Sequence, residues 1–255
     1  MRRHGVGAVV TVVLVAVAAL WGAVAGSLLP RAAYRFSVPE DEGWRERCPG
    51  GHPIAGFGGG WIGRARCGPC GTGTPYGPGA PRLATAGALV CAALAAATGT
   101  RPELGVWLLL APVGVLLAVV DLRVRRLPDP LTLRLAAAAL VLLGLVALVP
   151  EHAGEWPTAL WGALALGAFY YVLYLVNPGG MGFGDVKLAL AAGAVLGWYG
   201  WPTVMLGTFA GFLSGALYGW GRVALRRAGR KSAIPFGPFL LGGAFVGLLI
   251  GAYAA

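Results

Sequence analysis

The sequence predicts an all-α polytopic membrane protein, with about eight transmembrane helices and one cytoplasmic loop domain after the first. Three observations predict it. The 255 residues are 57% hydrophobic and only 12% charged, against about 25% charged in ordinary soluble domains. The apolar residues come in long runs, not at helical or strand periods, which is the signature of membrane spans. The basic residues collect in the connections between runs, and mainly in every second connection.

The first run, Val6–Leu29, follows the basic start Met1-Arg2-Arg3-His4. A basic start before an apolar stretch also fits a cleaved signal peptide. The run is long enough for the ~20 residues a span requires, so a first transmembrane helix over residues 1–30 is expected. Residues 31–82 are polar and rich in glycine and proline, with Glu40, Asp41, Glu42 and Glu46 among seven arginines. They form the expected loop domain. Seven further runs fill residues 83–255: Leu83–Ala97, Leu104–Val120, Leu131–Val149, Trp156–Val176, Leu188–Trp198, Val204–Gly221 and Ile234–Ala254. Their glycines and alanines suit helices that pack closely in a bilayer. The run from Leu188 is shortest and is expected to gain length by starting at Asp185.

Lys and Arg in connections bias them to the cytoplasmic side. One set of connections carries 17 of the basic residues, from Arg31–Arg82, Arg123–Arg134, Lys187 and Arg222–Lys231. The other carries 3, namely Arg2, Arg3 and Arg101, together with Glu103, Glu151 and Glu155. The first set is therefore expected in the cytoplasm and both termini outside. Trp156, Trp198, Tyr199 and Trp201 fall at the expected outer edge, where amphipathic rings favour the interface. The net charge of +10 forms no basic face with interleaved aromatics, so no nucleic-acid partner is expected. The bilayer is the expected environment.

Two acids stand out because a carboxylate in or beside a span is costly. Asp121 ends the third run in Val119-Val120-Asp121-Leu122-Arg123. Asp185 opens the sixth, in Met181-Gly182-Phe183-Gly184-Asp185-Val186-Lys187. The expected topology puts both at the cytoplasmic edge. Asp121 could instead pair with Arg125 or Arg126 one helical turn away. Asp185 could cap a helix or pair with Lys187. Gly182 and Gly184 would allow a substrate backbone to come close, or a positive φ. Asp129, followed by Pro130, has the pattern of a helix N-cap with proline at the first helical position. Two carboxylates about 3 Å apart share one proton, and such a pair activates water and polarises an amide. No Gly-x-Ser-x-Gly or His-Glu-x-x-His pattern offers a competing hydrolase.

Asp121-Leu-Arg-Val-Arg-Arg-Leu-Pro-Asp129, Gly182-Phe-Gly-Asp-Val-Lys187 and Ile234-Pro-Phe-Gly-Pro-Phe239 resemble three motifs of the bacterial type IV prepilin leader peptidases, which are Gly-x-Gly-Asp intramembrane aspartic proteases. The resemblance covers about residues 83–255, which would form the peptidase domain. It implies cleavage of basic leaders from prepilins or pseudopilins at the cytoplasmic face of the inner membrane. Asp121 and Asp185 fall on the two catalytic positions, and cleavage would require no cofactor. Gly182, Gly184, Pro235 and Gly237 would shape the active-site loop and receive substrate. Many members also methylate the new N-terminus with S-adenosylmethionine, and their first loop carries two Cys-x-x-Cys pairs. Here the second pair is Cys67-Gly-Pro-Cys70, while the first reads Cys48-Pro-Gly-Gly-His52. Cys48, His52, Cys67 and Cys70 have the ligand types of a Cys₃His zinc site. The alternative is a knuckle of free thiols without metal. A proton-coupled transporter subunit is the rival reading of two intramembrane acids, and a catalytically silent assembly factor is a second. Transport sites lie near the midplane, often between inverted repeats; both acids here are expected at one edge, and no repeat is visible.

Overall fold

A computed structural model describes residues 2–39, 42–71, 73–225 and 235–255, with side chains from residue 7 onward. Glu40, Asp41, Arg226, Arg227, Arg230, Lys231 and Ile234, used above, lie outside the described residues. Over the described residues, each expected apolar run falls mainly in a helix. In chain order the elements are α1 (Arg2–Leu28), α2 (Pro30–Phe36), the short turn α3 (Phe57–Gly60), strands β1 (Arg66–Cys67) and β2 (Thr74–Pro75), and helices α4 (Ala80–Thr98), α5 (Glu103–Val124), α6 (Asp129–Val146), α7 (Trp156–Val176), α8 (Phe183–Gly197), α9 (Trp201–Ala224) and α10 (Gly237–Ala254). Six of them, α1, α4, α5, α6, α7 and α10, are long and apolar enough to cross a membrane. The protein is an all-α, multi-pass membrane protein. Helix α8 has only 15 residues, or about 22 Å at 1.5 Å per residue, short of a ~30 Å hydrocarbon core.

The chain divides into two compact units. The first joins Met1–Thr100 to Trp107–Val124; the second joins Arg101–Val106 to Arg125–Ala255. In the first unit α1 lies along α4. A methyl group on Gly22 would strike the Gly87 carbonyl, so the two backbones touch. The Trp21 indole N–H donates to the Leu108 carbonyl of α5 at 2.8 Å. The segment after α1 is held by rings and arginines rather than by secondary structure. Phe36 meets Trp61 at 4.5 Å and Trp44 at 5.0 Å. Arg31 donates to the carbonyls of Arg64 and Ala55, both at 3.0 Å.

The second unit is built around α8, which packs on α6, α7, α9 and α10. Its buried positions are mostly alanine and glycine. A methyl on Gly193 would strike the Gly162 carbonyl of α7. Small residues let helices approach closely where apolar side chains gain nothing from leaving lipid. At one end of this unit Glu103 is fully buried. It is 3.6 Å from Arg101 and accepts from the Tyr199 hydroxyl at 3.2 Å. Arg101 in turn donates to the Ala252 carbonyl of α10. The burial makes Glu103 a structural pin for this end, not the loop acid its sequence position suggests. Trp198 also departs from the interfacial role expected of it: it is 1% exposed, and its carbonyl accepts from the Glu155 N–H at 2.9 Å.

Candidate active site and candidate metal centre

Asp185 sits at the third position of α8, because the helix begins at Phe183 rather than at Asp185. Its backbone N–H donates to the Gly182 carbonyl at 3.0 Å, and its Oδ2 accepts the Gly182 N–H at 3.2 Å. This is the reciprocal arrangement of a capping box, with glycine supplying backbone only. The carboxylate is therefore fixed against the helix start, and the residue is 6% exposed. The glycines do not serve positive φ. Gly182 is extended at φ −77, ψ 147, and Gly184 is inside α8. Gly184 instead makes room for a neighbour: an added Cβ would lie 2.9 Å from the Leu127 Cβ. The segment leading into α6 thus lies directly on the first turn of α8.

The two nearby charges also differ from expectation. Asp129 is not an N-cap. Pro128 holds that place, its carbonyl accepting from Leu131 and Thr132, and Asp129 makes no capping bond. Pro128 is extended at φ −64, ψ 120, and the helix begins at Asp129 with Pro130 in its first turn, one residue earlier than the Asp-Pro pattern suggests. The Asp129 carboxylate pairs with Lys187 at 2.6 Å. Lys187 thus has Asp129 as an ion-pair partner, and its ammonium lies 4.7 Å above the Phe183 ring. The ion pair ties the start of α6 to the start of α8.

Tyr170 of α7 gave no signal in the sequence, where it is one aromatic in an apolar run. It is fully buried, with its ring 5.6 Å from Phe212 and 5.9 Å from Phe236. It is close enough to Asp185 for the two groups to interact electrostatically. Pro235 is half-buried and Gly237 buried. Gly237 opens α10 after Phe236, and Phe239 packs on Tyr218 at 5.2 Å. The Pro235–Phe239 run is thus seated on α9, with Phe236 reaching Tyr170.

Asp121 lies in the last turn of α5 and is 4% exposed. The chain leaves that helix through Arg125, whose φ of 54 is left-handed. Asp121 belongs to the first unit and Asp185 to the second. Among the described residues, the buried acids are these two and Glu103.

The four loop ligands do converge. One ligand atom from each of Cys48, His52, Cys67 and Cys70 lies within 4.8 Å of all the others. Cys48 Sγ is 3.5 Å from both Cys67 Sγ and Cys70 Sγ, and His52 Nδ1 is 3.2 Å from Cys70 Sγ and 3.7 Å from the other two. A tetrahedral cation with ~2.3 Å bonds to sulfur and ~2.0 Å to nitrogen needs ligand spacings of about 3.5–3.8 Å. The residues fit such an ion. The local backbone brings them together: Cys48 N–H donates to the His52 carbonyl at 2.9 Å, and β1 pairs Cys67 with Thr74. Burial pushes the Cys48 thiol up, but hydrogen bonds with His52, Cys67 and Cys70 outweigh it and hold it at about 6. Cys70, hydrogen-bonded to Cys67 and Cys48, is pushed up to about 12. All four cysteines of the chain are free of disulfides.

The helices define a multi-pass membrane protein, and each of its two units carries a buried aspartate near a helix end. Residues 108–220 match the type IV leader peptidase family. That stretch holds both Asp121 and Asp185. The chain is 40% identical over 148 residues to a protein of Aeromonas salmonicida named prepilin leader peptidase/N-methyltransferase, covering 56% of this chain and 48% of that one. Proteins of the same name from Escherichia coli K12 and Pseudomonas aeruginosa are 36% identical over 137 residues and 32% identical over 179 residues. Those matches cover 52% and 67% of this chain, and 57% and 58% of the relatives. The chain spans about half the length of the curated relatives it matches. No solved structure matches it.

Proposed function

We propose that this protein is an intramembrane aspartic endopeptidase that removes leader peptides from type IV prepilins or pseudopilins at the cytoplasmic face of the inner membrane. The observation that carries the reading is the family match over residues 108–220, which encloses two buried aspartates at the ends of apolar helices. In the reading, Asp121 and Asp185 act as a pair, one ionised and one neutral. The ionised carboxylate takes a proton from water as the oxygen attacks the scissile carbonyl. The neutral one donates a hydrogen bond to that carbonyl and then protonates the departing amine. Gly182 holds the Asp185 carboxylate by its N–H. Gly184 lets the segment before α6 close on the site, and Pro235 and Gly237 shape the strip along which extended substrate lies. Residues 83–255 form the peptidase domain, and both termini face away from the cytoplasm.

Within the loop of residues 31–82, Cys48, His52, Cys67 and Cys70 would hold zinc. Its role would be to tie the loop together, and no step of cleavage needs it. The relatives' names also carry N-methyltransferase, and methylation of the new N-terminus by S-adenosylmethionine is the second activity to assay. The decisive experiment uses purified protein and a prepilin, with mass measurement of the mature N-terminus. Asp121→Asn and Asp185→Asn should each lower cleavage by more than about a thousandfold, as removal of a reacting group does. Cleavage retained by either variant removes the mechanism.

A further inference from the structure

Beside the cysteine loop, and lined by neither aspartate, the first unit has an open groove of about 790 Å³. Its walls include Arg35, Arg45, Arg47, Glu46, Trp44 and Trp61. The three arginines outnumber the one acid, and none makes an ion pair among the described residues. Each guanidinium is nevertheless held in place. Arg35 is 7% exposed, lies 3.9 Å over the Trp61 ring, and donates to the Gly59 carbonyl at 2.8 Å. Its Nε is buried with no acceptor among the described residues. Arg45 lies 4.8 Å over the Tyr34 ring and donates to the Tyr34 carbonyl at 3.3 Å. Arg47 donates to the Gly51 carbonyl at 3.1 Å. Arg45 is also close enough to Arg123 of α5 for their like charges to interact.

Neutral carbonyls and ring faces orient these cations, and with Glu46 as the one acid of the lining their positive charge is in excess. A guanidinium has five donors, so each keeps several for a ligand. Cations brought together without a counter-charge repel, and a multi-oxygen anion relieves that repulsion while accepting several donors at once. The place is also informative. The apolar window of α1 ends at Leu28, and α2, which carries Tyr34 and Arg35, begins two residues later. The groove therefore opens within reach of the headgroup layer that follows a span, where anionic lipid attracts basic residues.

We propose that this groove binds a phosphate-bearing anion through Arg35, Arg45 and Arg47, with the tryptophans as its walls. The proposal is independent of the protease reading. The phosphate belongs either to the headgroup of an acidic lipid or to a soluble phosphate.

The test measures binding to the full chain in neutral detergent, using dioctanoyl phosphatidylglycerol, dioctanoyl phosphatidylcholine and inorganic phosphate as probes. The acidic lipid should bind at least about tenfold more tightly than the zwitterionic one, the equivalent of one charge-assisted hydrogen bond. Arg45→Gln combined with Arg47→Gln should weaken it by about tenfold or more. Arg82→Gln, a change at an exposed arginine elsewhere in the unit, should leave it unchanged. Arg45→Lys with Arg47→Lys should restore part of the loss, which distinguishes charge from misfolding. Competition by inorganic phosphate would assign the site to phosphate itself; lipid binding without competition would assign it to the headgroup. Equal binding of the two lipids with no binding of inorganic phosphate, or undiminished binding by the glutamine variant, would overturn the proposal.

Discussion

The loop after α1 and the helices around α8 reach order by opposite routes. The loop has little secondary structure, and it is held by side chains: three thiols and an imidazole in one cluster, arginines on carbonyls, and rings on rings. The α8 region is held by the lack of side chains, with Gly193 against Gly162 and Gly184 against Leu127. Water makes the difference intelligible. A polar segment cannot bury enough apolar area to offset its ordering entropy, so it depends on specific ties. Helices in lipid gain nothing from apolar burial against one another, so close backbone contact decides their packing.

The contrast can be broken most sharply at the proposed metal site. If the four ligands hold zinc as proposed, stripping it with a chelator, or Cys67→Ser, should cost the loop on the order of 10 kcal/mol of binding-coupled folding energy. Limited proteolysis should then cut within residues 42–78, while circular dichroism retains the helical signal. If helicity collapsed in step, the two regions would not be independent in the way described. Next in size is Gly193→Val, which places a branched side chain against the α7 backbone. It should cost about 3 kcal/mol or more, seen as loss of monodisperse protein after extraction. Any zinc held by the loop should stay at the wild-type amount per folded molecule.

A smaller effect is expected from Gly184→Ala. Alanine favours the helix by about 0.5–1 kcal/mol, but its Cβ must displace Leu127 from 2.9 Å. A net loss of about 1 kcal/mol is expected, with cleavage falling further than stability as the Asp185 turn shifts. Equal losses in a thermal melt and a prepilin assay would confine Gly184 to packing. The smallest is Lys187→Met. The Asp129 side chain is 59% exposed, so the pair is screened and worth no more than about 1 kcal/mol. Wild type and variant should converge in melting temperature as salt rises above the range where the Debye length is ~3 Å. A difference that persists in high salt would mean that Lys187 acts through Phe183 rather than through its charge.

Much of the frame was legible. Trp156–Val176 begins and ends as a helix where the apolar run does. The Cys48, His52, Cys67 and Cys70 spacing foretold one cluster. Asp185 was legible as a costly acid, but its tie to the Gly182 N–H was not, since a backbone donor leaves no trace in residue type. Asp129 misled because Asp-Pro is a local helix-start pattern, while the ion pair with Lys187 joins residues 58 apart in numbering. Tyr170 and Glu103 were hidden for the same reason. One looked like a ring in an apolar run and the other like a loop acid, and only burial distinguishes them.

The sequence by itself determined which segments leave water, because transfer of a run of apolar residues is a property of that run alone. It also determined which side chains could do chemistry, because carboxylates, thiols and imidazoles are few in this chain. Only the tertiary structure decided which carbonyl, ring or cation each of those groups meets. Several of those partners, Lys187 for Asp129 and Tyr199 for Glu103 among them, come from distant positions, and the fold brings them within a few ångströms of one another where no local rule applies.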